Sequence, residues 1–429
     1  MSSSRITAIE AWEALDSRGT PTVACEARLA GGARGFATVP SGASVGTYEA
    51  AELRDGGHRY GGRGVLQAVE NVRTQLGPAL IGEDASEDAA LDDRLCELDA
   101  TPNLSRLGAN AVLAVSIAVA LAAAEAEGLP LHRALDRESE TVLLPLPMIN
   151  IISGGAHAGG AIDIQDVLAV PVGARTFAEA IEWIWRVRRG TVERATALGL
   201  PTALVADEGG LGLRLASNRL ALELVEAGIE AAGLRPGDDV ALAIDVAATQ
   251  LASGSDYRLA AESRTVSADE LIEKLQGWCS KHPIVSLEDP LAEDAWQAWQ
   301  LATRRLGGVQ LVGDDLFVTS TERVQRGIDE HVANAVLVKP NQAGTLSRAR
   351  AALNLAQRNG YATVISARSG ESEDAWLADL AVGWRAGQIK VGSLTRSERM
   401  AKWNRLLRIE QEAGPRAVFA GRDALAPLS

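Results

Sequence analysis

The sequence predicts an α/β protein, a (β/α)8 barrel preceded by a smaller α+β domain. Three observations predict it. The chain has 429 residues, more than one ordinary compact domain holds. From Leu143 onward short apolar runs recur, each followed by a helix-like stretch. Where those runs stop, charged residues stand. The polar stretch Arg137–Thr141 marks the expected boundary, giving domains 1–138 and 139–429.

In the first domain, Arg5–Leu15 and Pro21–Leu29 read as strands joined by the turn Asp16-Ser-Arg-Gly, with Phe36–Val39 closing the meander. Helices are expected near Val65–Leu76, Ser86–Leu98 and Ala109–Glu127. The run Ala111–Ala124 is apolar but alanine-rich and too short for a bilayer, so a buried helix is expected and no membrane span. In the second domain the runs are Pro145–Ile152, Gln165–Val170, Ala203–Ala206, Val240–Asp245, Ile284–Leu287, Gln310–Gly313, Ala335–Val338, Thr363–Ile365 and Ile389–Val391. The first two are so close that an antiparallel step is expected there.

Composition narrows the function. A net charge of −14 without a basic stripe argues against nucleic acid. Cys25, Cys96 and Cys279 form no CxxC pair, which points to reduced thiols and a cytoplasmic protein rather than a zinc site or disulfide framework. No apolar leader follows Met1.

The ends of the runs carry the chemistry. They read Asp207-Glu208, Asp245, Glu288-Asp289, Asp314-Asp315, Lys339, Arg368-Ser369 and Lys390. In a parallel barrel the C-terminal strand ends converge on one pocket. A single carboxylate after a strand is as readily a helix N-cap. Asp245, Glu288 and Asp314 on successive strands, followed by Lys, Arg and Lys, are a hard-oxygen set suited to Mg²⁺. A lysine becomes a useful base when nearby cations and exclusion of water lower its pKa, which is the expectation for Lys339.

Several segments resemble enolase. They are Asp16-Ser-Arg-Gly-Thr-Pro, Pro40-Ser-Gly-Ala-Ser-Val-Gly, Gly154-Gly-Ala-His-Ala-Gly-Gly, Ala206-Asp-Glu-Gly-Gly, Ser286-Leu-Glu-Asp-Pro, Val312-Gly-Asp-Asp, Lys339-Pro-Asn-Gln, Arg368-Ser-Gly-Glu and Gln388-Ile-Lys-Val-Gly. The resemblance covers essentially the whole chain and implies a TIM-type barrel and a hydro-lyase. It implies Mg²⁺ on Asp245, Glu288 and Asp314, and a second Mg²⁺ helped by Ser44 when the Ser41–Gly46 loop closes over substrate. It casts Lys339 as the base, Glu208 as the acid, and Lys390 on the substrate carboxylate. Arg368 and Ser369 fall on the phosphate, with His157 and Asp166 beside the substrate. It implies a small phosphorylated or phosphonate three-carbon acid as substrate, and a homodimer with Arg18 near the interface, or an octamer of dimers.

Two departures stand out. Ala367 replaces the family's histidine before Arg-Ser, and Asp166 replaces a glutamate. A smaller one is the run Thr249-Gln250-Leu251. Three readings stay open at this point: an enolase, a natural-product homologue that forms carboxyphosphonoenolpyruvate, and a non-catalytic enolase-like binding protein. Retention of the lysines, Glu208 and the three carboxylates speaks against the last.

Overall fold

The computed structural model describes residues 3–43 and 46–426. The first domain opens with an antiparallel meander, β1 (Ile6–Leu15), β2 (Pro21–Leu29) and β3 (Arg34–Thr38). Its inner face packs on the helix Ala109–Ala126. That helix is apolar all round because it is buried nearly all round, 78% of it lying inside the protein. Its alanines let the sheet come close, and Gly35 of β3 sits directly against the carbonyl of Ala118.

The second domain begins with β4 (Val142–Leu144), which pairs with β16 (Ala417–Phe419) near the chain's end. The barrel strands are β5 (Leu146–Ser153), β6 (Asp166–Val170), β7 (Ala241–Asp245), β11 (Ile284–Glu288), β12 (Gln310–Gly313), β13 (Ala335–Val338), β14 (Ala362–Ser366) and β15 (Gly387–Lys390). They close in that order, β15 returning to β5. The short strands β8 (Ala252–Ser253), β9 (Asp256–Leu259) and β10 (Arg264–Ser267) form a separate sheet beyond β7. Serine or threonine N-caps start five of the outer helices, at Thr176, Ser217, Ser267, Ser320 and Thr345. Leu146, Met148, Leu168, Val170, Leu337 and Val364 fill the lower barrel.

The antiparallel step is present. β6 runs against both β5 and β7, and every other neighbouring pair is parallel. Two consecutive helices, Phe177–Ala197 and Asn218–Ala231, follow β6 before β7 begins. The reversal has a consequence for the site. The first residue of β6, Asp166, lies at the same mouth as the last residue of β7, Asp245, with which it is in register.

One expected strand is absent. Ala203–Ala206 makes only an isolated bridge, Val205 to Leu211. Its apolar side chains are not core: Leu204 is 67% exposed and Val205 40%. The segment instead crosses the mouth and delivers Glu208.

Candidate active site

One pocket at the barrel mouth is lined by Gly42, Ala43 and Glu49 of the first domain and by His157, Glu208, Asp245, Asp314, Lys339, Ala367, Arg368, Ser369 and Lys390 of the barrel. The predicted residues other than Ser44 and Glu288 fall on or against this lining. Glu288 is joined to it through Lys390. Ser44 lies outside the described residues.

Strand geometry explains the convergence. Asp245 and Glu288 are register partners at the ends of β7 and β11. Lys390, at the end of β15, reaches across the mouth and donates to both, at 2.7 Å to Asp245 Oδ2 and 2.7 Å to Glu288 Oε2. Lys339 follows β13 and donates to Asp314 Oδ2. Gln165 steadies Asp245 (3.0 Å) and is itself held by Gln250 (3.0 Å), so the departure at 249–251 still serves the site.

The electrostatics are those of crowded, buried carboxylates. Burial, then the neighbouring Asp245 charge, pushes Glu288 well up. Burial and Asp314 push Asp315 up to about 7. Burial and Asp315 push Asp289 well up. Oxygens of Asp289, Asp314 and Asp315 lie within 4.8 Å of one another. This trio shares only Asp314 with the predicted set Asp245, Glu288 and Asp314, whose other two members are held by Lys390. Both sets are all hard oxygens with no sulfur, the kind that fits a divalent cation such as Mg²⁺.

Lys339 departs from expectation. Burial would lower its pKa, but Asp314 outweighs burial and holds the ammonium above its ordinary range. The carboxylate at hydrogen-bond distance wins over desolvation, so the ion pair dominates.

The acid side is a hydrogen-bonded chain from Ser153 to His157, with Glu208 in ion-pair contact beyond it. Ser153 Oγ donates to Asp166 Oδ1 at 2.5 Å, His157 Nδ1 meets Asp166 Oδ2 at 2.9 Å, and His157 Nε2 lies 3.8 Å from Glu208 Oε1. Asn150 donates to Glu208 Oε2 at 3.1 Å. Burial would lower the pKa of His157, but Asp166 and Glu208 outweigh it and bring it up to about 9. Glu208 is held below its ordinary value: burial opposes this, and His157 and Arg399 overcome it. His157 is thus the most basic member of this cluster, in which burial also pushes Asp166 up. The shortened Asp166 is not slack, because it still spans Ser153 and His157.

On the other side, Ala43 N donates to Ser369 Oγ at 2.6 Å. Arg399, fully buried, donates to the carbonyls of Arg368 and Ser369, each at 2.6 Å, and to that of Val391 beside Lys390 at 2.9 Å. Arg18 spends its guanidinium within the chain, on the carbonyls of Ser41 (3.0 Å) and Gly42 (3.2 Å) and on Ser369 Oγ (3.4 Å). Ala367 lines the pocket with only a methyl group, and its amide donates to Lys390 O at 2.9 Å.

Sequence reasoning missed Glu49, Asn150, Ser153 and Arg399. Glu49 and Ser153 adjoin motifs that were read, Ser41–Gly46 and Gly154–Gly160. Nothing local marks Arg399, which acts through main-chain carbonyls, two of them on the loop after β14.

Fold and mouth together define a barrel enzyme that works on an anionic substrate with buried carboxylates, lysines and an arginine, capped by its own N-terminal domain. The sequence matches two family descriptions, "Enolase, N-terminal domain" over residues 6–135 and "Enolase, C-terminal TIM barrel domain" over residues 141–428. A relative from Acidothermus cellulolyticus, described as "Enolase", is 54% identical over 417 residues, which is 97% of this chain and 96% of the relative. The chain belongs to the enolase family and is a hydro-lyase of a Mg²⁺-dependent kind.

Proposed function

We propose that this chain dehydrates 2-phosphoglycerate to phosphoenolpyruvate. The observation that carries the reading is that Lys339, Glu208, Lys390, Arg368 and Ser369 line one pocket. Lys339 takes the proton from C2, and for that its ammonium, held protonated by Asp314 here, must first be released from that ion pair and deprotonated. Glu208 assists departure of the C3 hydroxyl, drawing its proton from His157. Lys390 binds the substrate carboxylate, and Arg368 with Ser369 binds the phosphate, where the planar fork of an arginine suits two oxygens. Two Mg²⁺ ions per site when substrate is bound, one on Asp245, Glu288 and Asp314 and one helped by Ser44, would neutralise the oxygens on which negative charge develops. Asp314 belongs both to that carboxylate set and to Lys339, so its charge cannot serve both fully. The resemblance further supports assembly as a homodimer or as an octamer of dimers.

A second reading is favoured by Ala367 and Asp166. Both are smaller than the family's residues, and Ala367 faces the pocket. The added room suits a phosphonate analogue of 2-phosphoglycerate, as in carboxyphosphonoenolpyruvate-forming homologues. One experiment separates the two. Protein is mixed with Mg²⁺ and 2-phosphoglycerate, and phosphoenolpyruvate absorbance is followed with Ala367→His alongside. Turnover on the order of 10 s⁻¹ or more supports the first reading. Poor turnover that the histidine improves by about tenfold or more supports the second, and phosphonate analogues are then tried.

A further inference from the structure

The arginine assigned to the phosphate already holds an anion. Glu49, from the first domain, meets Arg368 with two hydrogen bonds, Nη1 to Oε2 at 2.8 Å and Nη2 to Oε1 at 3.2 Å. The two side chains are 5% and 4% exposed. Oε1 of the same carboxylate also accepts from the amide of Gly46 at 2.9 Å and from Gln342 Nε2 at 3.4 Å. Gln342 donates in turn to Asp314 Oδ1 at 2.9 Å.

A carboxylate presents to a guanidinium the same pair of spaced oxygens that a phosphate edge does. A phosphoryl group brought to Arg368 while Glu49 stayed would put like charges together in a buried pocket, where their repulsion is poorly screened. One anion must yield. The incoming group carries more charge and more acceptor oxygens than a carboxylate, so it is the stronger partner for the fork.

We infer that Glu49 is an internal anion occupying the phosphate subsite, displaced when a phosphoryl or phosphonyl group binds Arg368. Glu49 thereby sets the affinity threshold of the subsite. A singly charged carboxylate gains nothing over Glu49, whereas a doubly charged phosphoryl group does. Displacement also frees Oε1 from the Gly46 amide, which links occupancy of the phosphate subsite to the chain at the end of the Ser41–Gly46 segment. The inference rests on the reading of Arg368 as the phosphate contact.

The alternative is that Glu49 merely orients Arg368, and the two roles predict opposite signs. The test is calorimetric titration of the Mg²⁺-loaded protein with inorganic phosphate, together with KM for 2-phosphoglycerate. Glu49→Gln is expected to lower the phosphate Kd about tenfold, the gain when the available fraction of Arg368 rises from about a tenth to nearly all. KM is expected to fall with it. An unchanged or raised Kd overturns the inference. If Glu49→Gln does not fold by circular dichroism, Glu49→Asp keeps the charge but shortens its reach, and a lowered Kd is again required. Arg368→Met is titrated in parallel. Loss of phosphate binding there upholds the subsite, whereas unchanged binding removes the subsite reading itself, whatever Glu49 does.

Discussion

At the scale of single residues, the site divides by what each group does with a proton. Lys339 is the amine that donates to Asp314, and Glu208 is the carboxylate beyond the Ser153–Asp166–His157 chain. A positioned base or acid is worth about 10²–10⁴ in rate. Lys339→Ala is expected to lower kcat by at least about 10² and to abolish exchange of the C2 proton of 2-phosphoglycerate with deuterated solvent. Glu208→Gln is expected to lose turnover while keeping that exchange, since proton removal at C2 does not need it. NMR of the substrate in D₂O reads both outcomes. Persistent exchange in Lys339→Ala would move the base elsewhere. Much of this was legible in the sequence, because a charged residue at the end of an apolar strand is a local signal. The partners were not: Glu49 is 319 positions from Arg368, and only the fold brings them together.

At the scale of elements, the strand ends were readable for a reason that also explains the error. An apolar run followed by a charge marks a buried strand that terminates at a polar mouth, and the runs ending at or beside Asp245, Glu288, Asp314, Lys339, Arg368 and Lys390 are of this kind. Ala203–Ala206 has the same local pattern but lies on the surface, with Leu204 and Val205 exposed. Periodicity cannot distinguish burial from exposure in four residues. The place of Asp166 came from the resemblance and not from its own run, since only the reversed direction of β6 carries its first residue to the mouth. The alanine-rich helix gives the element-scale prediction. A Cβ on Gly35 would press into the main chain of Ala118 and Ala122, neither of which can turn aside as a side chain can. Gly35→Ala is therefore expected to destabilise the protein by about 1–3 kcal/mol. The check is a lowered urea midpoint with unchanged KM. An unchanged midpoint would mean that sheet and helix part at little cost.

At the scale of the whole molecule, the two domains share a site, and they also share a buried ion cluster away from it. Asp379, on the barrel helix Trp376–Gly383, accepts from the main-chain amide of His132 (3.2 Å), meets His132 Nδ1 (2.9 Å) and pairs with Arg405 (2.6 and 2.7 Å). His132 belongs to the first domain and Arg405 to the helix Ser397–Ala413. Burial alone would raise the Asp379 pKa, but the hydrogen bonds from Arg405 and His132 outweigh it and hold the carboxyl below its ordinary value. A carboxyl depressed on folding contributes stability above its unfolded pKa of about 3.9, and that contribution is lost as pH falls through the folded value. Asp379→Asn is accordingly expected to cost about 2 kcal/mol at neutral pH, because the partly buried Arg405 loses its charge partner and its charge-assisted hydrogen bonds. The deficit relative to the unaltered protein should stay constant from pH 7 down to about 4 and shrink only below that. Urea midpoints measured across this range decide it. A deficit that shrinks well above pH 4 would show that another group carries the linkage. A deficit near zero throughout would show that the Asp379 cluster contributes no net stability to the contact between the domains.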